Sequence, residues 1–249
     1  MKKQECTIYD LARELNISPA TVSRALQNSP VVNKKTRNRI QTLAREMGYR
    51  SNTIASNLRR QKTNTLGVIV PRLNSHFMSS AISGMEKVAN MAGYNLIITQ
   101  SQEKASKETF NVNTLFNNRV DGLVVSLAGD TIDFEPFQVL LDRGIPIIFF
   151  DRITDKLTCP GFIIDNHLAG QLITAHLIEQ GCNNIVHITG DLNRNVYADR
   201  CEGYKQALAL QGLPVREEYI MVTDLSIEAG IEAANRIKSL SPAPDGIFV

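Results

Sequence analysis

A small all-α bundle joined to a larger α/β body of parallel sheets, with helices on both sheet faces, is the architecture this chain predicts. Three observations predict it. The first 48 residues hold three short apolar stripes of helical period, each opened by a capping residue. From Thr65 onward, apolar strand runs alternate with helical segments, the pattern of a parallel sheet. Charge also divides along the chain: residues 1–64 hold 13 Lys and Arg against 4 Asp and Glu, and residues 65–249 hold 14 against 21.

The elements follow in order. Thr7 followed by Asp10 reads as a helix start, and Ile8, Leu11, Ala12 and Leu15 give a first helix over about 8–15. Asn16 tolerates the left-handed conformation that stops a helix, and Ile17 turns inward. Ser18 then caps a second helix at once, with Pro19 at its first position. In that helix Val22, Ala25 and Leu26 share one face, while Ala20, Ser23, Arg24 and Gln27 share another. A third helix starts after Asn33, turns Ile40, Leu43, Ala44 and Met47 inward, and ends at Gly48. Two short helices joined this tightly make a helix-turn-helix, closed by the third.

The stripe tipped by Arg24 is either a solvated surface or a reading head. In a helix-turn-helix the second helix enters the major groove by its N-terminal end. Arg24 would then donate two hydrogen bonds to guanine, and Ser18, Thr21 and Ser23 would hold phosphates. Pro19 and Ala20 offer a base edge only apolar contact. The basic charge of this segment fits a polyanionic partner as well as a solvated surface.

Residues 51–64, SNTIASNLRRQKTN, carry only Ile54 and Leu58 as sizeable apolar side chains. A helix this short is marginal in water, so alone the segment reads as a flexible linker.

The body contains the strand runs LGVIV, NLIIT, GLVVS, PIIFF, FIID, NIVHI, YIMV and GIFV. Sheets of this class bind ligands beyond the carboxyl ends of their strands. That places weight on residues 71–77, 126–130, Asp151 with Arg152, Asp165 with Asn166, and 190–200. No GxGxxG, GxxxxGK or GxSxG sequence is present, so nucleotide and nucleophile-elbow chemistry find no support. Ser126, His187 and Asp191 form a triad only on paper. Four scattered cysteines and four histidines lack metal-ligand or redox spacing. The apolar share of 43% suffices for a core, and no apolar run approaches the roughly 18 residues of a spanning helix. The polar start predicts a cytoplasmic chain, and the spacings and missing motifs above predict one without metal, cofactor or membrane partner.

TIYDLARELNISPATVSRAL, then GYRSNTIASNLRRQKT, resembles the headpiece and hinge of the lac repressor family of bacterial transcription regulators. The resemblance implies base contacts from Pro19, Ala20 and Arg24 and phosphate contacts near Ser18, Thr21 and Ser23. It also implies that Leu58 is a minor-groove wedge and that Ala55 is small enough to allow close approach. Asn16 stands where the family has Gly, and Ser51 where it has Pro. The elements VIVP, DGLVV, PIIFFDR, IIDNHLAG and ADRCEGYKQAL extend the resemblance through the body. They imply a two-lobed domain similar to periplasmic sugar-binding proteins, with the second lobe incomplete because the family continues past DGIFV.

The implied division is a headpiece at 1–50, a hinge at 51–64, a first effector lobe at 65–164 and a second at 165–249. Phe77 would stack on a ligand face, Asp151, Asn166 and Arg200 would hydrogen-bond it, and Asn74 and Ser126 would assist. The plainer readings make Phe77 a core aromatic, Asp151 a partner of Arg152, and Arg200 a surface ion-pair partner. The expected function is a dimeric repressor, not an enzyme, that binds a near-palindromic double-stranded operator and responds to a small polar effector, a sugar. Its rivals are a soluble sugar-binding protein and a sugar- or nucleotide-processing α/β enzyme.

Overall fold

A computed structural model of the chain describes residues 6–49 and 62–249. Ala55, Leu58 and the rest of the expected hinge up to residue 61 lie outside the described residues. The chain divides between Gln61 and Lys62 into two compact units.

In the first unit, helix α1 (Ile8–Leu15) opens on a reciprocal capping box. Thr7 Oγ1 accepts from the Asp10 backbone N–H at 3.4 Å, and Asp10 Oδ2 accepts from the Thr7 N–H at 2.9 Å. It closes on Asn16, whose left-handed φ of 50° lets its N–H reach back to the carbonyls of Ala12 and Arg13. Helix α2 (Pro19–Leu26) follows after Ser18, and helix α3 (Lys34–Glu46) after Asn33, whose side chain accepts from the Thr36 N–H at 3.0 Å. Leu11, Val22, Ala25 and Ile40 are wholly buried between the three helices. Burying each large side chain contributes about 1.5–3 kcal/mol. Met47, expected to face inward, is instead 38% exposed. Helix α3 ends one residue before it, and Tyr49 packs against the core there.

The second unit carries two parallel sheets. The first runs β2-β1-β3-β4-β5, built from β1 (Thr65–Val70), β2 (Asn95–Gln100), β3 (Gly122–Val125), β4 (Ile147–Phe150) and β5 (Gly161–Phe162). Val68 lies opposite Ile98 on one side and Val124 on the other, and Val124 lies opposite Ile148. Helices α5 (Ala105–Asn117) and α6 (Glu135–Asp142) cover one face around Leu115, Leu123, Phe137 and Phe149. Helix α4 (His76–Met91) covers the other around Val68, Val70, Met78 and Phe150. The inner strands β1, β3 and β4 are therefore apolar on both sides, which is why they read as unbroken apolar runs. β5 pairs over two residues only, and Ile163 and Ile164, expected to continue it, are exposed.

The second sheet runs β7-β6-β8, with β6 (Ile185–Thr189), β7 (Ile220–Val222) and β8 (Gly246–Phe248). Helices α7 (Asn166–Glu179) and α8 (Asn195–Leu210) lie on the face of Ile185, Tyr204 and Phe248, and α9 (Ile227–Ile237) on the face of Val186 and Met221. Where α7 crosses α8, their backbones touch. A Cβ at Gly170 would stand 2.2 Å from the Arg200 carbonyl oxygen, and one at Gly203 would stand 2.0 Å from that of His167. Only glycine permits that approach. Each sheet with its helices forms one lobe.

Candidate functional site

The first candidate surface is the start of α2. Ser18 Oγ accepts from the Thr21 N–H at 3.2 Å and lies 2.8 Å from Thr21 Oγ1, so both hydroxyls serve the cap. Pro19 lacks an N–H and stands where none is needed. The partial positive charge of a helix N-terminus is thereby presented at the head of α2. Ala20, Arg24 and Gln27 are exposed, while Pro19, Thr21 and Ser23 are half-buried. Arg24 makes no hydrogen bond or ion pair to a described residue, so its guanidinium fork remains available.

The turn after α2 is held from α3. Arg37 Nη2 donates to the carbonyls of Ser29 and Val32 at 3.1 and 2.9 Å. Gln41 Nε2 donates to Asn28 Oδ1 at 2.9 Å, where Asn28 takes a left-handed φ of 57°. Helix α2 is thus fixed at both ends, by its cap and by two side chains of α3. Arg37 and Gln41 were not singled out from the sequence, because turn-holding side chains have no periodicity of their own.

The second candidate surface lies at the carboxyl ends of the strands. Ser126, wholly buried after β3, donates through Oγ to Asp151 Oδ2 at 3.4 Å. Asp151, after β4, is half-buried, and burial pushes its carboxyl above the usual range against the opposing pull of Arg152, Arg200 and Ser126. At the head of α7, Asn166 is 3% exposed, and its Oδ1 accepts from Arg200 Nε at 3.0 Å. The other guanidinium nitrogens of Arg200 make no hydrogen bond to a described residue. Four of the expected residues therefore pair with one another, two in each pair, and the field of Arg200 reaches Asp151. An acceptor and a forked donor facing one another suit a neutral ligand rich in hydroxyl groups. Asn74 and Phe77 stand apart from these pairs on exposed surface, and Phe77, 53% exposed, is no core aromatic.

Asp151 does not pair with Arg152. The backbone at Asp151 is left-handed, φ 59°, and the Arg152 side chain leaves in another direction. It meets Glu103 at 2.6 and 3.2 Å, and its Nη2 donates to the Tyr197 hydroxyl at 2.7 Å. Arg194 crosses the same boundary from the second lobe, donating to the carbonyls of Gly129, at 3.1 Å, and Thr131. The loop carrying those carbonyls is held from below by buried Glu108, which accepts from Ala128 N–H and Thr131 Oγ1, each at 2.7 Å. Sequence reasoning missed Glu103 and Glu108, and it weighted residues 190–200 as a loop without singling out Arg194 or Tyr197. A charge that will be buried beside its partner looks, in a linear sequence, like any surface charge.

The paper triad of Ser126, His187 and Asp191 is not assembled. Ser126 is committed to Asp151, and His187 stacks on Phe248 at 4.2 Å with Nδ1 3.3 Å from the Phe248 carbonyl oxygen. Burial pushes the imidazole down to about 4. Among the described residues, no three His, Cys, Asp or Glu side chains are grouped to hold a metal ion, and no helix is long and apolar enough to cross a membrane.

Residues 7–52 match the family described as bacterial regulatory proteins, lacI family, and residues 63–248 match periplasmic binding proteins and the sugar binding domain of the LacI family. Catabolite control protein A of Priestia megaterium is 34% identical over 244 residues, which cover 98% of this chain and 73% of that one. The HTH-type transcriptional repressor CytR of Escherichia coli K12 is 32% identical over 250 residues, 99% of this chain and 72% of that one. The crystal structure of the lac repressor dimer bound to operator and the anti-inducer ONPF has the same fold, with a TM-score of 0.83 at 21% identity over 98% of this chain and 73% of that one.

Proposed function

Because this chain belongs to the lacI family of bacterial regulatory proteins, we propose that it is a cytoplasmic, dimeric transcriptional repressor whose α2 reads a near-palindromic operator and whose body answers to a sugar. The observation that carries the reading is Arg24: exposed, without a partner among the described residues, and set on a helix whose head is capped and turned outward. An unpaired guanidinium at that place donates two hydrogen bonds to guanine in the major groove. Pro19 and Ala20 make apolar base contacts, and Ser18, Thr21 and Ser23 meet phosphates around the same groove. Ala55 and Leu58 carry the minor-groove contact that the family resemblance implies.

In the body, Asp151 and Ser126 of the first lobe face Asn166 and Arg200 of the second, and the sugar sits between these pairs, with Asn74 and Phe77 at its rim. A ligand shifts DNA affinity only by binding two arrangements of the protein unequally, so contacts from both lobes are needed. The test is selection of bound DNA from a random pool, followed by operator titration with the sugars D-ribose and cellobiose. Recovery of a near-palindrome, with affinity changed by one of these compounds, supports the reading. Recovery of no preferred sequence removes it.

A further inference from the structure

Asp151 stands at a junction. Its left-handed backbone is a conformation that a non-glycine residue keeps only where its surroundings impose it. Its N–H is held within the first lobe, donating to the Phe162 carbonyl at 3.0 Å, and its carbonyl is held from the other lobe. Asn195, the first residue of α8, donates through Nδ2 to the Asp151 carbonyl at 2.9 Å and accepts through Oδ1 from the Ile153 N–H at 3.0 Å. A single amide thus spans the turn, taking hold of it on both sides of Arg152. Two residues on, the Tyr197 hydroxyl receives Arg152 Nη2 at 2.7 Å, with the guanidinium 5.3 Å from the ring centroid. Behind the turn, the Arg152 carbonyl accepts from the Leu127 N–H at 3.2 Å, next to Ser126.

We propose that Asn195 and Tyr197 are positioning residues that fasten the turn at Asp151–Ile153 to the first turn of α8, so that the aim of the Asp151 carboxylate and the seating of the second lobe change together. This goes beyond the effector reading, since it concerns the protein alone and its test needs no ligand. Its consequence for that reading is directional: whatever touches Asp151 pulls on α8, and α8 also carries Arg200. The two walls of the cleft then do not move independently.

Amide hydrogen exchange resolved by NMR on the whole chain tests the proposal, with Asn195→Ala and Tyr197→Phe compared against the parent. In Asn195→Ala the Ile153 and Leu127 amides, both on the first lobe, are expected to exchange about tenfold faster. The Asp151 carboxyl carbon resonance is expected to move, while amides of α1–α3 and of Val68 keep their parent rates. Tyr197→Phe preserves the ring and removes only the acceptor, so Leu127 is expected to exchange several-fold faster with Ile153 nearly unchanged. Acceleration confined to residues 195–198, with Ile153, Leu127 and the Asp151 resonance as in the parent, overturns the proposal. If Asn195→Ala loses protection throughout the first sheet, Tyr197→Phe decides alone, and an unchanged Leu127 rate overturns it.

Discussion

Arg24 and Arg152 show how differently two arginines are used. The first ends in solvent and the second is 8% exposed. Removing the first leaves the fold intact: Arg24→Ala is expected to cost about 1–3 kcal/mol at the preferred DNA site and to relax preference at one base pair per half-site. Binding assays on the selected site and its single-base variants check this, and equal losses on every sequence would mean a phosphate contact instead. His187 gives a pH prediction. Its folded pKa of about 4 lies below the unfolded value of about 6.5, so the unfolded chain takes up a proton first as the solution is acidified. The stability this contributes is whole above about pH 6.5 and is lost as pH falls towards 4, to the extent of about 3 kcal/mol. Denaturant unfolding between pH 7 and 4 should show a smaller acid loss for His187→Gln than for the parent. Glu108 and Asp151, whose folded carboxyls are raised, act in the opposite sense as pH rises, but equally in both proteins. Of these residues, Arg24 was legible in the sequence because a cap and a proline fix the phase of its helix. The partner of Arg152 was not, because a left-handed residue before it turns the side chain away from its neighbour.

Elements were more legible than contacts. Thr7, Ser18 and Asn33 each cap the helix that their spacing announces, since a cap and its target lie three residues apart. Seven of the eight strand runs appear as parallel strands, and the eighth, FIID, contributes only Phe162 to one. The crossing of α7 and α8 was not foreseen, because Gly170 and Gly203 acquire meaning only when the two helices meet. Gly203→Ala must push the His167 carbonyl aside, and a loss of about 1–3 kcal/mol, or more, is expected. Gly84 in α4 has nothing within 4 Å of a built Cβ, so Gly84→Ala is expected to gain about 0.5–1 kcal/mol from helix propensity. Thermal unfolding of the two variants should therefore move in opposite directions. If Gly203→Ala is neutral, the close helix crossing is not a packing constraint.

At the scale of the whole molecule, the two units divide chemistry as well as structure. The basic charge lies with the headpiece and its following segment, and the acidic excess with the body. Residues 62–249 alone are expected to unfold cooperatively and to bind no DNA. The whole chain should bind random DNA with an affinity that falls linearly as the logarithm of salt rises. Filter binding over a salt series on both proteins checks this, and salt-dependent binding by 62–249 would relocate the polyanion surface to the body. The parallel topology has a further consequence, in time rather than in energy. Helices α1–α3 close on near neighbours, whereas Leu66 must find Gly122 and Ile185 must find Gly246. Local contacts form in microseconds to milliseconds, and mixed topologies with distant pairings more slowly. Synthesis proceeds at about 5–20 residues per second, N-terminus first. On the ribosome, then, helices α1–α3 are finished while the strands of the body still await partners not yet made, and the growing chain holds the helix we propose reads DNA before it holds the body we propose regulates it.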